Sequence, residues 1–307
     1  MDWKPDHEIE IVAGTPPGGG LDRTARALLK AIETHDLLEV PVHVKNVPGD
    51  GARNAWRYMD EHRGDPHVVS ISHPNLTTDR LVGLATFDHR DYTPIAMLYT
   101  EYIAFAIHDD APLRDGAALI DQLARFAPRT RIALSTALGN PNHIALARLV
   151  THAGAEPKAP IVRVFDSALL AVADVVERNA DVAAVTAAST QSALSSGKVR
   201  VIGVSAPQRL AGTLAHVPTW REQGVDCVVG AWRGVTGAQG IGASHVRFWE
   251  KTLRAVVATR TWQDELERDG LSATYTDAAA LRRFLDSERT EMAAALRELG
   301  LLKEPAG

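Results

Sequence analysis

The chain has 307 residues, 45% hydrophobic and 23% charged, an ordinary globular composition whose length suits two domains better than one. No run approaches the roughly 18 consecutive apolar residues that span a bilayer. A net charge of −5 excludes nucleic-acid binding through a broad basic face, yet leaves room for a small anion held by backbone N–H groups and helix ends.

Short β-type runs alternate with helix-length segments, which predicts an α/β architecture. The opening MDWKPDHEIEIV lacks a basic segment followed by an apolar one, so no signal peptide is visible. Glu8–Gly14 reads as a buried strand, and Leu21–His35 sets Leu21, Ala25, Leu28, Leu29 and Ile32 on one helical face. Val40–Val47 is a second strand, Ala52–His62 a helix and His67–Ser72 a third strand. Tyr102–Leu113 reads as an extended crossing segment. A second series follows: strands at Arg131–Ala137, Ile161–Phe165, Asp181–Ala187 and Val199–Ala206, and helices at His143–Gly154 and Ser167–Asn179. Asp226–Gly237 looks like a second crossing, and helix-rich pieces around Phe248–Thr259 and Ala278–Leu299 close the chain. Two series joined by two crossings predict two lobes, 1–104 with 230–307 and 105–229, facing each other across a ligand cleft.

Three strand ends carry polar or glycine-rich loops, where ligands sit in open α/β sheets. The first, Thr15-Pro16-Pro17-Gly18-Gly19-Gly20, feeds a helix N-terminus whose free N–H groups suit a carboxylate or phosphate. It has neither the Lys of a phosphate-binding P-loop nor the last Gly of a dinucleotide fingerprint, which disfavours nucleotides. A plain tight turn and an anion site fit it equally. The second, Ser135-Thr136-Ala137-Leu138-Gly139-Asn140, precedes Pro141 in a helix first turn, with Asn140 either a cap alone or also a ligand. His143, one turn in, reads as a core or capping residue. Ser72 and Asn75, in Ser70–Thr78, add small polar groups, and Phe165 and Thr186 stand at two further strand ends. Asp166 or Ser167 reads as a helix cap and Asp181 as a turn residue.

No chemistry beyond binding is called for. Cys227 is the only cysteine and lies in an apolar run, so neither a disulfide nor a thiol nucleophile is expected. There is no GxSxG elbow, and none of the 12 histidines forms an HxxxH or HxH pair, so no metal or cofactor is expected.

Taken in order, these stretches resemble the substrate-binding proteins of tripartite tricarboxylate transporters, the Bug-type receptors. The resemblance is carried by Thr15–Asp22 with Ala25-Arg26, by Asn46-Val47-Pro48-Gly49-Asp50-Gly51 and by Ser135–His143. Pro218-Thr219-Trp220-Arg221-Glu222-Gln223-Gly224 and Trp232-Arg233-Gly234 complete it, so that it spans about Ile9 to Leu301. It implies a periplasmic two-lobed "Venus flytrap" of type II with two crossovers, exported with a signal segment since removed. It also implies a monomer without catalysis that delivers a small organic carboxylate to membrane permease subunits. The grip on the ligand would fall to Gly18, Gly19 and Gly20 and to Ser135, Thr136, Gly139 and Asn140, largely through backbone N–H groups and waters. The Trp232-Arg233-Gly234 element leans towards a di- or tricarboxylate. Several positions depart from the family pattern: Thr15 replaces a common aromatic, Leu21 a Thr or Ser, Ala137 and Asn140 a Gly and a Ser, and Phe165-Asp166-Ser167 a Tyr-x-Gly. An enzyme acting on a carboxylic acid, or the sensing lobe of a signalling system, are the alternatives.

Overall fold

The computed structural model of the chain describes residues 3–303. The first strand–helix series is β1 (Ile9–Ala13), α1 (Gly20–Thr34), β2 (Val42–Asn46), α2 (Arg53–Glu61), β3 (Val68–Ser72) and α3 (Asn75–Leu81). Then β4 (Thr93–His108) leads into the second series: α4 (Gly116–Phe126), β5 (Arg131–Ser135), α5 (Pro141–His152), β6 (Ile161–Phe165), α6 (Ala168–Val176), β7 (Val182–Thr186), α7 (Gln191–Ser195) and β8 (Val199–Val204). The chain returns through β9 (Gly230–Gly237) to α8 (Ala243–Ala258), α9 (Arg260–Asp269), β10 (Ser272–Thr276) and α10 (Ala278–Glu298).

The strand β4 belongs to two sheets. Its first part, Thr93–Tyr102, pairs antiparallel with β9 and completes the order β2-β1-β3-β9-β4, with β10 added antiparallel to β4. From Ile103 onwards it pairs with β7 on one side and β8 on the other, and β7-β5-β6 continue that sheet in parallel. The change of partner falls at Tyr102/Ile103. β4 starts nine residues before the predicted crossing segment and ends five before it does, because a strand shared by two sheets is apolar on both faces and shows no alternation to mark its ends. Five elements went unpredicted: the helices α4, α7 and α9, the edge strand β10, and α3, whose Pro74 at the N-cap reads as a turn.

Each half has its own core. Ile9, Ile11, Leu28, Trp249 and Trp262 pack between sheet and helices in the first. In the second, Phe105 meets Trp220 edge-to-face at 5.1 Å amid Leu134, Leu146 and Cys227. Burial pushes the Cys227 thiol up to about 12, the protonated and unreactive form. Among the described residues no helix is long and apolar enough to cross a membrane.

Candidate functional site

Helices α1, α3, α5 and α6, each following a strand, point their N-termini into one cleft between the halves. The halves meet around it: Arg23 Nη2 donates to Ser189 Oγ at 3.0 Å, Asn75 Nδ2 to Thr136 Oγ1 at 3.3 Å, and Lys158 Nζ to the Gly300 carbonyl at 2.6 Å. Gly51, at φ +62°, lies so close to the Thr136 carbonyl that a Cβ there would collide with it. The cleft is closed.

The first wall is built around a buried carboxylate. Gly18 takes φ +83°, open to glycine without strain, and its N–H donates to Asp22 Oδ2 at 2.7 Å. Asp22 also accepts from Arg26 Nε (3.0 Å to each oxygen) and Asn46 Nδ2 (2.9 Å), and Asn46 donates to the Thr15 carbonyl. Burial pushes the Asp22 pKa up, but the hydrogen bonds from Arg26, Gly18 and Asn46 outweigh it and hold the carboxyl below its ordinary range. Thr15 Oγ1 accepts the Asp22 N–H at 3.1 Å, so this threonine caps α1 from a distance. Gly20 and Leu21 remain: both line the cleft, and among the described residues neither N–H has an acceptor. They form the positive end of a 15-residue helix.

The second wall turns on Thr136, a non-glycine residue at φ +67°. Such a conformation costs of order 1–3 kcal/mol and persists only where the surroundings over-determine it. Here the Thr136 N–H donates to the Phe165 carbonyl at 2.7 Å, and its Oγ1 accepts from Asn140 Nδ2 at 2.9 Å. Asn140 also caps α5, accepting the His143 N–H at 3.1 Å, while Asn142 Nδ2 donates to Ser135 Oγ at 2.8 Å. Among the described residues the N–H groups of Asn142 (α5) and Ala168 (α6), both on the wall, have no acceptor. The cleft therefore offers unsatisfied donors from both sides.

No Asp or Glu is among the residues lining it. Among the described residues that line it, Arg233, from β9, is the one strong charge, 6% exposed, with Nη1 on the Trp232 carbonyl at 3.0 Å and Nη2 on Glu101. Burial first, and the Arg233 charge second, drive the lining His73 down to about 3, so this imidazole is neutral.

Of the twelve residues singled out from sequence, Thr15, Gly20, Asn75, Ser135, Thr136, Asn140 and Thr186 line the cleft. Gly18 and Gly19 shape the turn behind it, the Gly19 N–H donating to the Pro16 carbonyl at 2.9 Å. Ser72 is buried beside β9, its strand partner, accepting from Thr236 Oγ1, and Gly139 lies against Val82. Phe165 turns its ring to a separate apolar cluster around Ala104, Ala171 and Val185 and to the Arg163 guanidinium, and only its carbonyl serves the loop. Leu21, His73, Pro74, Pro141, Asn142, Ser167, Ala168, Ser189, Ala231 and Arg233 complete the lining. Asp6, His7 and His67 bring metal-type ligand atoms within 4.8 Å of one another, at the far end of β3 from the cleft. The two imidazoles stack with centroids 3.6 Å apart, and His7 Nδ1 (2.8 Å) and His67 Nε2 (3.2 Å) both lie against Asp6 Oδ1, which ties the three together by hydrogen bonding.

The family model of the tripartite tricarboxylate transporter family receptor, TctC, matches residues 25–301. The fold is that of two-lobe periplasmic binding proteins. The periplasmic binding protein BugD superposes with a TM-score of 0.87 at 21% identity, over 98% of this chain and 100% of that one. The R. palustris protein Rpa4515, solved with adipate, gives 0.88 at 20% identity over 97% and 99% of the two chains. MatC from Rhodopseudomonas palustris, solved with bound malate, gives 0.83 at 19% over 95% and 99%. No curated protein matches the chain in sequence.

Proposed function

The chain belongs to the tripartite tricarboxylate transporter receptor family, a family of solute receptors rather than enzymes, and on that premise we propose that it is a periplasmic receptor for a small organic di- or tricarboxylate. Its cleft is the binding site, and residues 1–104 with 230–307 form one lobe and 105–229 the other. The observation that carries this reading is the set of free N–H groups from α1, α5 and α6 on a wall without any carboxylate. Closing a cleft over an anion strips its water, which is tolerable only where hydrogen-bond donors replace it. Malate in MatC and adipate in Rpa4515 are acids of this class. Ligand binding then shifts an open–closed equilibrium by its greater affinity for the closed form, and the closed form docks on the transporter's membrane subunits.

A thermal-shift screen tests the proposal. An acid present at 100 times its Kd adds about 2.7 kcal/mol of stability. Mono-, di- and tricarboxylates are compared with their neutral amides. Stabilisation by acids alone supports the reading; stabilisation by amides and by no acid overturns it.

A further inference from the structure

The Arg233 guanidinium is buried on the cleft wall with its donors only partly used. Of its five N–H groups, one meets Glu101 and one the Trp232 carbonyl, while Nε–H, among the described residues, has no acceptor at all. A buried donor left without a partner calls for one that arrives from outside the chain. The position says which: Nη2 would lie 3.7 Å from a methyl group placed on Gly20, so the guanidinium rests against the N-terminus of α1, whose Gly20 and Leu21 N–H groups are also free. Charge, fork geometry and helix dipole converge on one spot, with planar bidentate recognition available from the guanidinium.

Glu101 stands behind Arg233 and off the cleft wall. The two belong to the adjacent crossing strands, where Glu101 faces Ala231 and Arg233 faces Tyr99 in the ladder. With Glu101 in place, the empty cleft does not hold a bare buried cation.

Resting on the reading of the cleft as a carboxylate site, we propose that Arg233 ion-pairs directly with one carboxylate of a dianionic ligand, sharing it with the Gly20 and Leu21 N–H groups, and that Glu101 is its counter-charge, tuning affinity from behind. The ligand's second carboxylate then lies on the uncharged donors of α5 and α6. This differs from a grip made of backbone groups and water alone.

Isothermal titration with L-malate and adipate, each on the wild-type protein and on variants, tests this. Arg233→Gln weakens binding about 30-fold or more, and Arg233→Lys, a point charge without the fork, about tenfold. Glu101→Gln acts in the opposite direction, tightening binding about tenfold because the ligand no longer faces a fixed carboxylate. The double variant Arg233→Gln/Glu101→Gln leaves no unpaired buried charge; it keeps the wild-type melting point to within a few degrees yet binds as weakly as Arg233→Gln. A purely structural pair would make both single variants weaker. Equal weakening in the two, or Arg233→Gln binding within threefold of wild type, overturns the proposal and leaves the carboxylate reading standing. Failure of the wild-type protein to bind either acid, or any acid of the thermal-shift panel, removes the carboxylate reading and this proposal with it.

Discussion

Asp22 offers the sharpest test of how the first wall is held. Replacing it by Ala leaves the Gly18 N–H and Asn46 Nδ2 without their acceptor and frees Arg26. Hydrogen bonds to a charged group are worth about 1.5–3 kcal/mol each, but they are not additive, and Arg26 is half exposed, so its share is screened. Counting the two inner contacts gives a loss of roughly 3–4 kcal/mol. At about 2.1 cal/mol/K per residue, a 307-residue chain has an unfolding entropy near 0.6 kcal/mol/K, and the melting point falls by about 5–6 °C. Asp22→Asn, which keeps one acceptor oxygen, loses about half of that. The pH dependence follows from the depressed pKa: the carboxylate's contribution is complete above the unfolded value and is lost as pH falls through the lower folded one. The gap between wild type and Asp22→Asn is therefore constant from neutral pH to about pH 4 and closes only below it. Calorimetry across pH 2.5–7 measures both quantities. A melting point within about 1 °C of wild type for Asp22→Ala, or a gap that widens in acid, refutes the staple.

Burial pushes Glu288 up to about 8, although Thr77 Oγ1 (3.0 Å) and Trp232 Nε1 (2.7 Å) donate to it. An acid whose folded pKa is raised stabilises fully below its unfolded value and loses that stability as pH rises towards the folded one, so wild-type stability should fall by a few kcal/mol between about pH 5 and 8. Glu288→Gln should flatten that decline in thermal melts; an unchanged slope counts against it. Gly51→Ala, at φ +62° and against the Thr136 carbonyl, should hold the halves apart, weakening carboxylate binding about tenfold and enlarging the ligand-bound radius of gyration in X-ray scattering. Wild-type affinity and compaction in that variant would show that the contact does not matter for closure.

The parts of the molecule legible in sequence are those where backbone chemistry forces residue type. Gly18 and Asn140 could be read because a positive φ and a helix cap restrict their positions to few residues. Arg233 was visible only within the Trp232-Arg233-Gly234 element, and its direction was not: in a strand shared by apolar neighbours, one-residue alternation cannot say which face meets a cleft built by the other half of the chain. His73 and Pro74 were hidden for a different reason. His-Pro-Asn reads as a turn, and α3 forms there because α10 covers it, Thr77 meeting Glu288 across 211 residues of sequence. Asn142 and Ser189 carry no local signal, since what makes them wall residues is closure. Phe165 misled because the strand end was placed correctly and the side chain was not: its ring packs on the apolar cluster around Ala104, Ala171 and Val185.

On the proposed reading, a protein of net charge −5 that captures an anion must solve its electrostatics locally. At physiological salt, exposed charges are screened beyond about 8 Å, so the overall charge has little force inside the closed cleft. What acts there is the Arg233 charge together with fixed dipoles: helix ends whose N–H groups were held in place when the chain folded, and which need no reorganisation when the ligand arrives. In the open form those donors are met by water, and the ligand gains little by exchanging one for the other. Closure removes the water, lowers the local dielectric constant and brings the donors of α1 opposite those of α5 and α6. A ligand that is anionic at one end only leaves one set of these donors dry and unpaired, at a cost of about 1–3 kcal/mol for each buried group. On the proposed reading, the same geometry that closes the cleft favours a ligand with acceptors at both ends.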